Sequence, residues 1–276
     1  MKSGSYRSDT EVRLVVDRGI YETPKAYEAA FSYRDIPREV DVLLSWYGRW
    51  NGQRRVEPRT VLELAAGPAA HARELAKRNK VACAVDLSPE MCAYARNRAM
   101  RQGVEISTSV SDIRQFRLRT RFDLAILMLD SGSHLLTSED MDRHLENVAF
   151  HVRRGGIYVL EFAYPSSPKS RSKTQERWTI HRPGVDLSVA WRSVPRPAVT
   201  PPRYLSRVEI SGTLRSRKVA VSEEMLLRSW SKRAVQNAVS RTQAFEVASV
   251  LGDFSEQSVF DRNSWRMIFV LLRTGD

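Results

Sequence analysis

The chain has 276 residues, 42% hydrophobic and 28% charged, which suits one large domain or one domain with an inserted cap. Its formal charge of +12 rests on arginine, 36 of the 44 basic residues, spread along the chain rather than gathered in a tail. That spread favours a solvated basic surface over a nucleic-acid partner. No apolar run approaches the roughly 18 to 20 residues of a membrane span, and the opening MKSGSYRSDTEVRLVVDRG lacks the apolar core of a signal peptide. Cys83 and Cys92 show neither metal nor disulfide spacing, so a cytoplasmic protein with buried free thiols is expected.

Residues 1–36 are polar yet rich in aromatics: Tyr6, Tyr21, Tyr27, Phe31 and Tyr33. Pro37 then opens an amphipathic helix with Val40, Leu43, Leu44 and Tyr47 at helical spacing. From residue 60 short apolar runs alternate with amphipathic segments. The strands are TVLELAA, VACAVD, VEISTSV, FDLAILML and IYVLEFAY; the helices between them include AAHARELAKRN, SPEMCAYARNRAMRQG and SEDMDRHLENVAFHV. A Gly155-Gly156 turn is expected before the fifth strand. This alternation implies βαβ units and a parallel sheet covered on both faces. Pro165 ends the rhythm, and the proline-rich PSSPKSRSK and VPRPAVTPP imply loops. Around them Leu187, Val189 and Trp191, then Tyr204, Val208, Ile210 and Leu214, then Val219, Val221, Met225 and Leu227 alternate as strands do; RSRK joins the last two in a hairpin. The segment SKRAVQNAVSRTQ, a helix, and the strands FEVASVLGDF and SWRMIFVLLR close the domain.

The strongest signal lies in Val61 to Ala69. A buried strand ends with an acid, Glu63, and a small-residue turn leads to a helix; Gly67 is placed where a ligand would approach the backbone. Asp86 ends the next strand 19 residues beyond Gly67, a distance at which a carboxylate can accept from both ribose hydroxyls of a nucleoside. Ser88 can cap the following helix, which leaves Asp86 free. Asp112 follows the third strand, so three acids would face the carboxyl edge of one sheet.

These segments resemble the class I S-adenosylmethionine-dependent methyltransferases: VLELAAGPAA, AVDLSPEMCAYAR, SDIRQF, FDLAILMLDSGSHLLT and RRGGIYVLEF stand in that family's order and spacing. The family turn reads E/D-x-G-x-G-x-G, and Ala65 and Ala69 here replace its outer glycines. The resemblance implies an α/β fold: a Rossmann-like, seven-stranded, mostly parallel sheet with helices on both faces, an antiparallel insertion after strand five and an N-terminal helical lid. It divides the chain into the lid and helix (1–59), the S-adenosylmethionine-binding core (60–164), the insertion as acceptor cap (165–230) and a closing helix and strand pair (231–276). It places Glu63, Ala65 and Gly67 at the methionine part of the cofactor, Asp86 at the ribose, and Leu87, Asp112 and Ile113 beside the adenine, with Tyr21 and Leu129 completing the cofactor site.

Candidates for the acceptor side lie where the parallel strands end: Asp130, Ser131, Ser133 and His134 after strand four, Glu161 on strand five and Tyr164 beyond it. His134 is the expected general base, because imidazole titrates near working pH. Tyr27, Phe31, Glu161, Tyr164, Trp191 and Arg207 are expected to contact the acceptor. No metal is expected: the Asp-Asn pair of metal-dependent catechol-type relatives is missing after strand five. After strand four the chain reads Leu-Asp-Ser-Gly, where nucleobase amino methylation would show Asn/Asp-Pro-Pro-Tyr/Phe. The expectation is a monomeric or homodimeric enzyme methylating an amine or hydroxyl of a small molecule, a secondary metabolite. An RNA methyltransferase and a non-catalytic S-adenosylmethionine-binding protein are the alternatives, separable by salt dependence and turnover.

Overall fold

Strands apolar on both faces form the centre of the molecule. In the computed structural model, which describes residues 19–53, 57–164, 175–196, 203–255 and 258–275, β1 (Thr60–Leu64), β2 (Val81–Asp86), β3 (Ser107–Val110), β4 (Phe122–Leu127) and β5 (Val152–Ala163) run parallel. The closing pair, β10 (Phe245–Leu251) and β11 (Arg266–Arg273), adds antiparallel to β5, giving the order β10-β11-β5-β4-β1-β2-β3. Helices α2 (Ile36–Trp50), α3 (Ala70–Lys77) and α4 (Pro89–Arg101) cover one face. On the other face lie α5 (Ser138–His151) and α6 (Lys232–Thr242), whose Met141, Leu145, Val148, Val235 and Val239 pack on Leu62, Leu64, Leu127 and Leu160. This is the expected doubly covered sheet, and it aligns the ends of β1 to β4 along one edge.

Local chemistry sets the helix starts. Ser88 accepts from the Met91 N–H at 3.1 Å with Pro89 at the first helical position, and Thr137 and Asp140 form a reciprocal capping box at α5. The expected Gly155-Gly156 turn is instead part of β5, which already begins at Val152. Gly155 has φ +76° and Gly156 packs against the Asp123 carbonyl, where a side chain would collide, so the pair bends the strand rather than preceding it.

The insertion is a four-stranded antiparallel meander: β6 (Gln175–Arg182), β7 (Val185–Arg196), β8 (Arg203–Leu214) and β9 (Arg217–Arg228). Pro183-Gly184 turns the first pair, with Gly184 at φ +74°. Arg215 and Ser216, both at positive φ, turn the RSRK hairpin in the twist that two-residue connections favour. The inner face of this sheet (Leu187, Val189, Val208, Ile210, Val221 and Leu227) buries Ile20 and α1 (Pro24–Ala30). Tyr6, the proline-rich segment 165–174 and residues 197–202 lie outside the described residues; the first three residues of VPRPAVTPP, expected in a loop, instead extend β7, where Pro195 lies opposite Tyr204 on β8.

Candidate functional site

The turn between β1 and α3 is built from three left-handed residues: Ala65 (φ 44°), Gly67 (φ 51°) and Ala69 (φ 53°). They occupy the three positions where the family pattern has glycine, so alanine keeps the conformation and bears its steric cost. Around the place a Gly67 Cβ would take, one atom lies within 4 Å, Cε1 of Tyr27 at 3.6 Å. The turn is therefore a small-residue cradle roofed by an aromatic ring.

Asp86 braces this cradle from the end of β2. Its Oδ2 accepts from the Gly67 N–H at 2.7 Å and its Oδ1 from the Ser88 N–H at 2.8 Å. A carboxylate has about four acceptor sites, so beside its backbone N–H donors it keeps capacity for a ligand hydroxyl. Burial raises the Asp86 pKa, against the pull of those two N–H donors. The Ser111 N–H bonds the Asp86 carbonyl at 2.9 Å, which brings the β3 loop alongside. Leu87, 70% exposed, presents an apolar side chain at the same edge.

Glu63 does not join that surface. It is 4% exposed, with Oε2 on the Ala72 N–H at 2.7 Å and Oε1 on His71 Nδ1 at 3.2 Å. The reason is local: the residue preceding α3 is Ala69, which has no capping side chain, so Glu63 satisfies the helix N-terminus from below. It therefore braces the start of α3. Asp112 stands at the β3 edge but is clasped by Arg114, whose Nη2 lies 2.6 Å from Oδ2; that hydrogen bond holds its carboxyl below the usual range. Ile113 packs into the core beside it, with its carbonyl accepting from His144 Nδ1 at 2.9 Å.

The N-terminal segment covers the edge. A 3-10 turn, Ile20–Glu22, docks where the Ser88 hydroxyl donates to the Tyr21 carbonyl at 2.8 Å. Glu28 on α1 ties down the next turn, accepting from Tyr94 Oη at 2.6 Å, lying 3.1 Å from Arg98 Nε and pairing with Arg73. Tyr27, Phe31, Trp178 and Trp191 form a chain of rings with centroids 4.6 Å apart for Tyr27 and Phe31, 5.8 Å for Phe31 and Trp178, and 6.3 Å for Phe31 and Trp191. Trp178 Nε1 donates to the Ala30 carbonyl at 2.8 Å, joining lid and insertion.

On the β4 side Leu129 (φ 55°) and Asp130 (φ 59°) turn the chain sharply into the short 3-10 segment Ser131–His134. The His134 ring reaches solvent at the rim, with Nε2 3.3 Å from Tyr21 Oη, and the protein crowding its other sides lowers its pKa. Tyr21 Oη also meets Met225 Sδ at 3.6 Å, so lid, insertion and β4 loop converge here.

Three residues expected at the acceptor are engaged by protein partners. Glu161 is 4% exposed and its oxygens are taken: Oε2 accepts from the Leu129 N–H at 2.8 Å and faces Arg34 at 3.3 Å, while Oε1 lies 3.1 Å from Arg266. It anchors the β4 turn. Tyr164 packs edge-on against Phe260, centroids 4.9 Å apart. Arg207 points from the outer face of the meander, paired with Glu224, because alternation along β8 sends Val208 and Ile210 to the inner face. The residues that sequence reasoning missed are Glu28, Arg34 and His71, whose partners include residues far away in the chain. Arg34 bonds Glu39 at 2.9 and 2.6 Å, and Glu39 meets His71 Nε2 at 2.8 Å, so one buried network runs from Glu63 to Glu161.

Comparison with known proteins matches residues 61–156 to a methyltransferase domain. Over 108 residues, 39% of this chain and 44% of the relative, the sequence is 28% identical to a dTDP-3-amino-3,4,6-trideoxy-alpha-D-glucopyranose N,N-dimethyltransferase of Streptomyces venezuelae. It is 33% identical over 110 residues, 39% of this chain and 42% of the relative, to a dTDP-3-amino-3,6-dideoxy-alpha-D-glucopyranose N,N-dimethyltransferase of Streptomyces fradiae. The chain thus spans less than half the length of these curated relatives in alignment. A solved S-adenosylmethionine-dependent methyltransferase from Clostridium acetobutylicum shares the fold with a TM-score of 0.74 over 93% of this chain and 100% of that one, at 16% identity. Residues 61–156 thus resemble a methyltransferase domain, set in a chain that shares the fold of a solved S-adenosylmethionine-dependent methyltransferase.

Proposed function

We propose that the protein is a small-molecule N-methyltransferase that uses S-adenosylmethionine and acts on an amino sugar carried on a nucleotide. The observation that carries this reading is the match of its core to two sugar N,N-dimethyltransferases. The residues present fit the cofactor: the open cradle at Gly67, the free acceptor capacity of Asp86 and the exposed Leu87 suit the methionine part, ribose and adenine respectively. When bound, the cofactor supplies an electrophilic methyl group on sulfur.

The chain's own residues do the rest. Tyr21 and Tyr27 roof the cradle and exclude water, and ordering two reactants under such a roof supplies much of the rate of a displacement. Phe31, Trp178 and Trp191 offer an apolar wall of the kind small-molecule sites use. His134, neutral at pH 7 because its pKa is lowered, can receive a proton at the rim. Incubation with S-adenosylmethionine and a dTDP-linked 3-amino sugar should give a product one or two CH₂ units heavier by mass spectrometry. Methylation of RNA, or of a hydroxyl in preference to the amine, would overturn the reading.

A further inference from the structure

The loop after β4 contains a carboxylate without a cation. Asp130 Oδ1 accepts from Ser133 Oγ at 2.7 Å and from the Ala163 N–H at 3.1 Å, and among the described residues no Lys, Arg or His forms an ion pair with it. Two buried acids near the site have such a partner: Glu39 has Arg34, and Glu161 has Arg34 and Arg266. The backbone that presents Asp130 is also costly. Two successive residues with side chains, Leu129 and Asp130, are left-handed, and the bond from the Leu129 N–H to Glu161 at 2.8 Å holds them so. Helix capping does not account for the arrangement, because the 3-10 segment that Asp130 precedes is four residues long and receives no side-chain cap bond from it.

We propose that Asp130 is a catalytic residue, which anchors the acceptor amine as its ammonium ion and takes its proton before methylation. This rests on the amino-sugar reading above and names the group that selects the amine. The lid, β4 loop and insertion supply its neighbours: the phenols of Tyr21 and Tyr204, the carboxyl of Glu161 and the hydroxyl of Ser133, with the His134 imidazole beyond Tyr21. The ammonium is the one cation among these partners, so it answers the missing ion pair. In the step, an N–H bond of the ammonium breaks, an O–H bond forms on Asp130, and the electron pair stays on nitrogen as the nucleophile. The proton leaves to solvent at the accessible rim, where His134 stands. Burial supports the exchange by pushing the Asp130 carboxyl up to about 7, against the bonds from Ser133 and Ala163, so it can be charged for binding and protonated after it.

The test uses the full chain saturated with S-adenosylhomocysteine, with dTDP-3-amino-3,4,6-trideoxyglucose as probe and dTDP-glucose as neutral control. The wild type should bind the amine at least about tenfold more tightly at pH 7, the size of a charge-assisted hydrogen bond, and Asp130→Asn should abolish that preference while S-adenosylhomocysteine affinity stays unchanged. Turnover of Asp130→Asn should fall by roughly 10²–10⁴-fold at pH 7 and recover towards high pH, where the amine arrives neutral. A preference that persists in Asp130→Asn, or wild-type turnover at pH 7, overturns the proposal. If neither nucleotide binds the wild type, the amino-sugar reading itself fails. The carboxyl ¹³C signal lost in Asp130→Asn then decides the residue: titration near neutrality supports an open, unpaired carboxylate, and titration in the ordinary aspartate range overturns it.

Discussion

At the scale of single residues, the site shows how conformation can outlast a motif. Ala65 and Ala69 depart from the glycine pattern, yet both hold the positive φ that the pattern exists to permit. The Gly67 cradle and Asp86 were legible for that reason: their roles are short-range, set by one turn and the strand beside it. The bracing role of Glu63 was not legible, because the same acid can face a ligand or satisfy the helix start, and the missing side-chain cap at Ala69 shows only in the fold. His144 carries a different prediction. It is fully buried between the Ile113 carbonyl (2.9 Å) and Tyr158 Oη (2.7 Å), and burial lowers its pKa to about 4. The folded state holds it neutral, so its contribution is complete above the ordinary histidine pKa of about 6.5 and is lost as pH falls towards 4. Stability should drop by about 3 kcal/mol across that window from this group alone. Urea titrations at pH 7 and pH 4.5 should show a smaller drop in His144→Gln than in the wild type; equal drops would remove His144 from the account.

At the scale of elements, the meander was legible as alternation along β7, β8 and β9 and as the RSRK link between the last two. Its contact with α1 was not, because the bond from Trp178 to Ala30 joins positions 148 residues apart. The expected lid has its physical basis in Glu28 and Ser88, and it implies that cofactor protects the segment. Proteolytic cutting before residue 36 should slow on adding S-adenosylhomocysteine, and Glu28→Ala, which frees Tyr94, Arg98 and Arg73, should abolish that protection. Cutting at equal rates with and without cofactor would show the segment to be fixed packing. Trp191→Ala should raise the acceptor's KM while cofactor affinity stays near wild type; a collapse of cofactor affinity would make the meander a support for the cradle instead. Arg34→Met removes the cation shared by Glu39 and Glu161, both buried, and leaving such acids underpaired costs roughly 3–5 kcal/mol. Thermal unfolding should show the loss, and an unchanged midpoint would mean that His71 and Arg266 suffice.

At the scale of the whole molecule, short apolar runs alternating with amphipathic segments pointed to the doubly covered sheet, and the order β3-β2-β1-β4-β5 brings the ends of four strands to one edge. What the pattern could not convey is the closure over that edge, since it depends on polar contacts between the N-terminal segment, α4 and the meander. The +12 charge looks different in this frame: Arg34, Arg73, Arg78, Arg114 and Arg241 are each paired with acids, so part of the basic surplus braces the fold rather than facing a partner. The central claim is that a nucleoside cofactor lies between the Gly67 cradle and the lid, held by Asp86. Calorimetric titration of S-adenosylhomocysteine into the wild type and Asp86→Ala, with folding of both checked by circular dichroism, tests it most directly. The account predicts one site per chain and a loss of about 1.5–3 kcal/mol in the variant, roughly 10- to 150-fold in affinity. Absence of binding to the wild type, or equal affinity in folded Asp86→Ala, would contradict it.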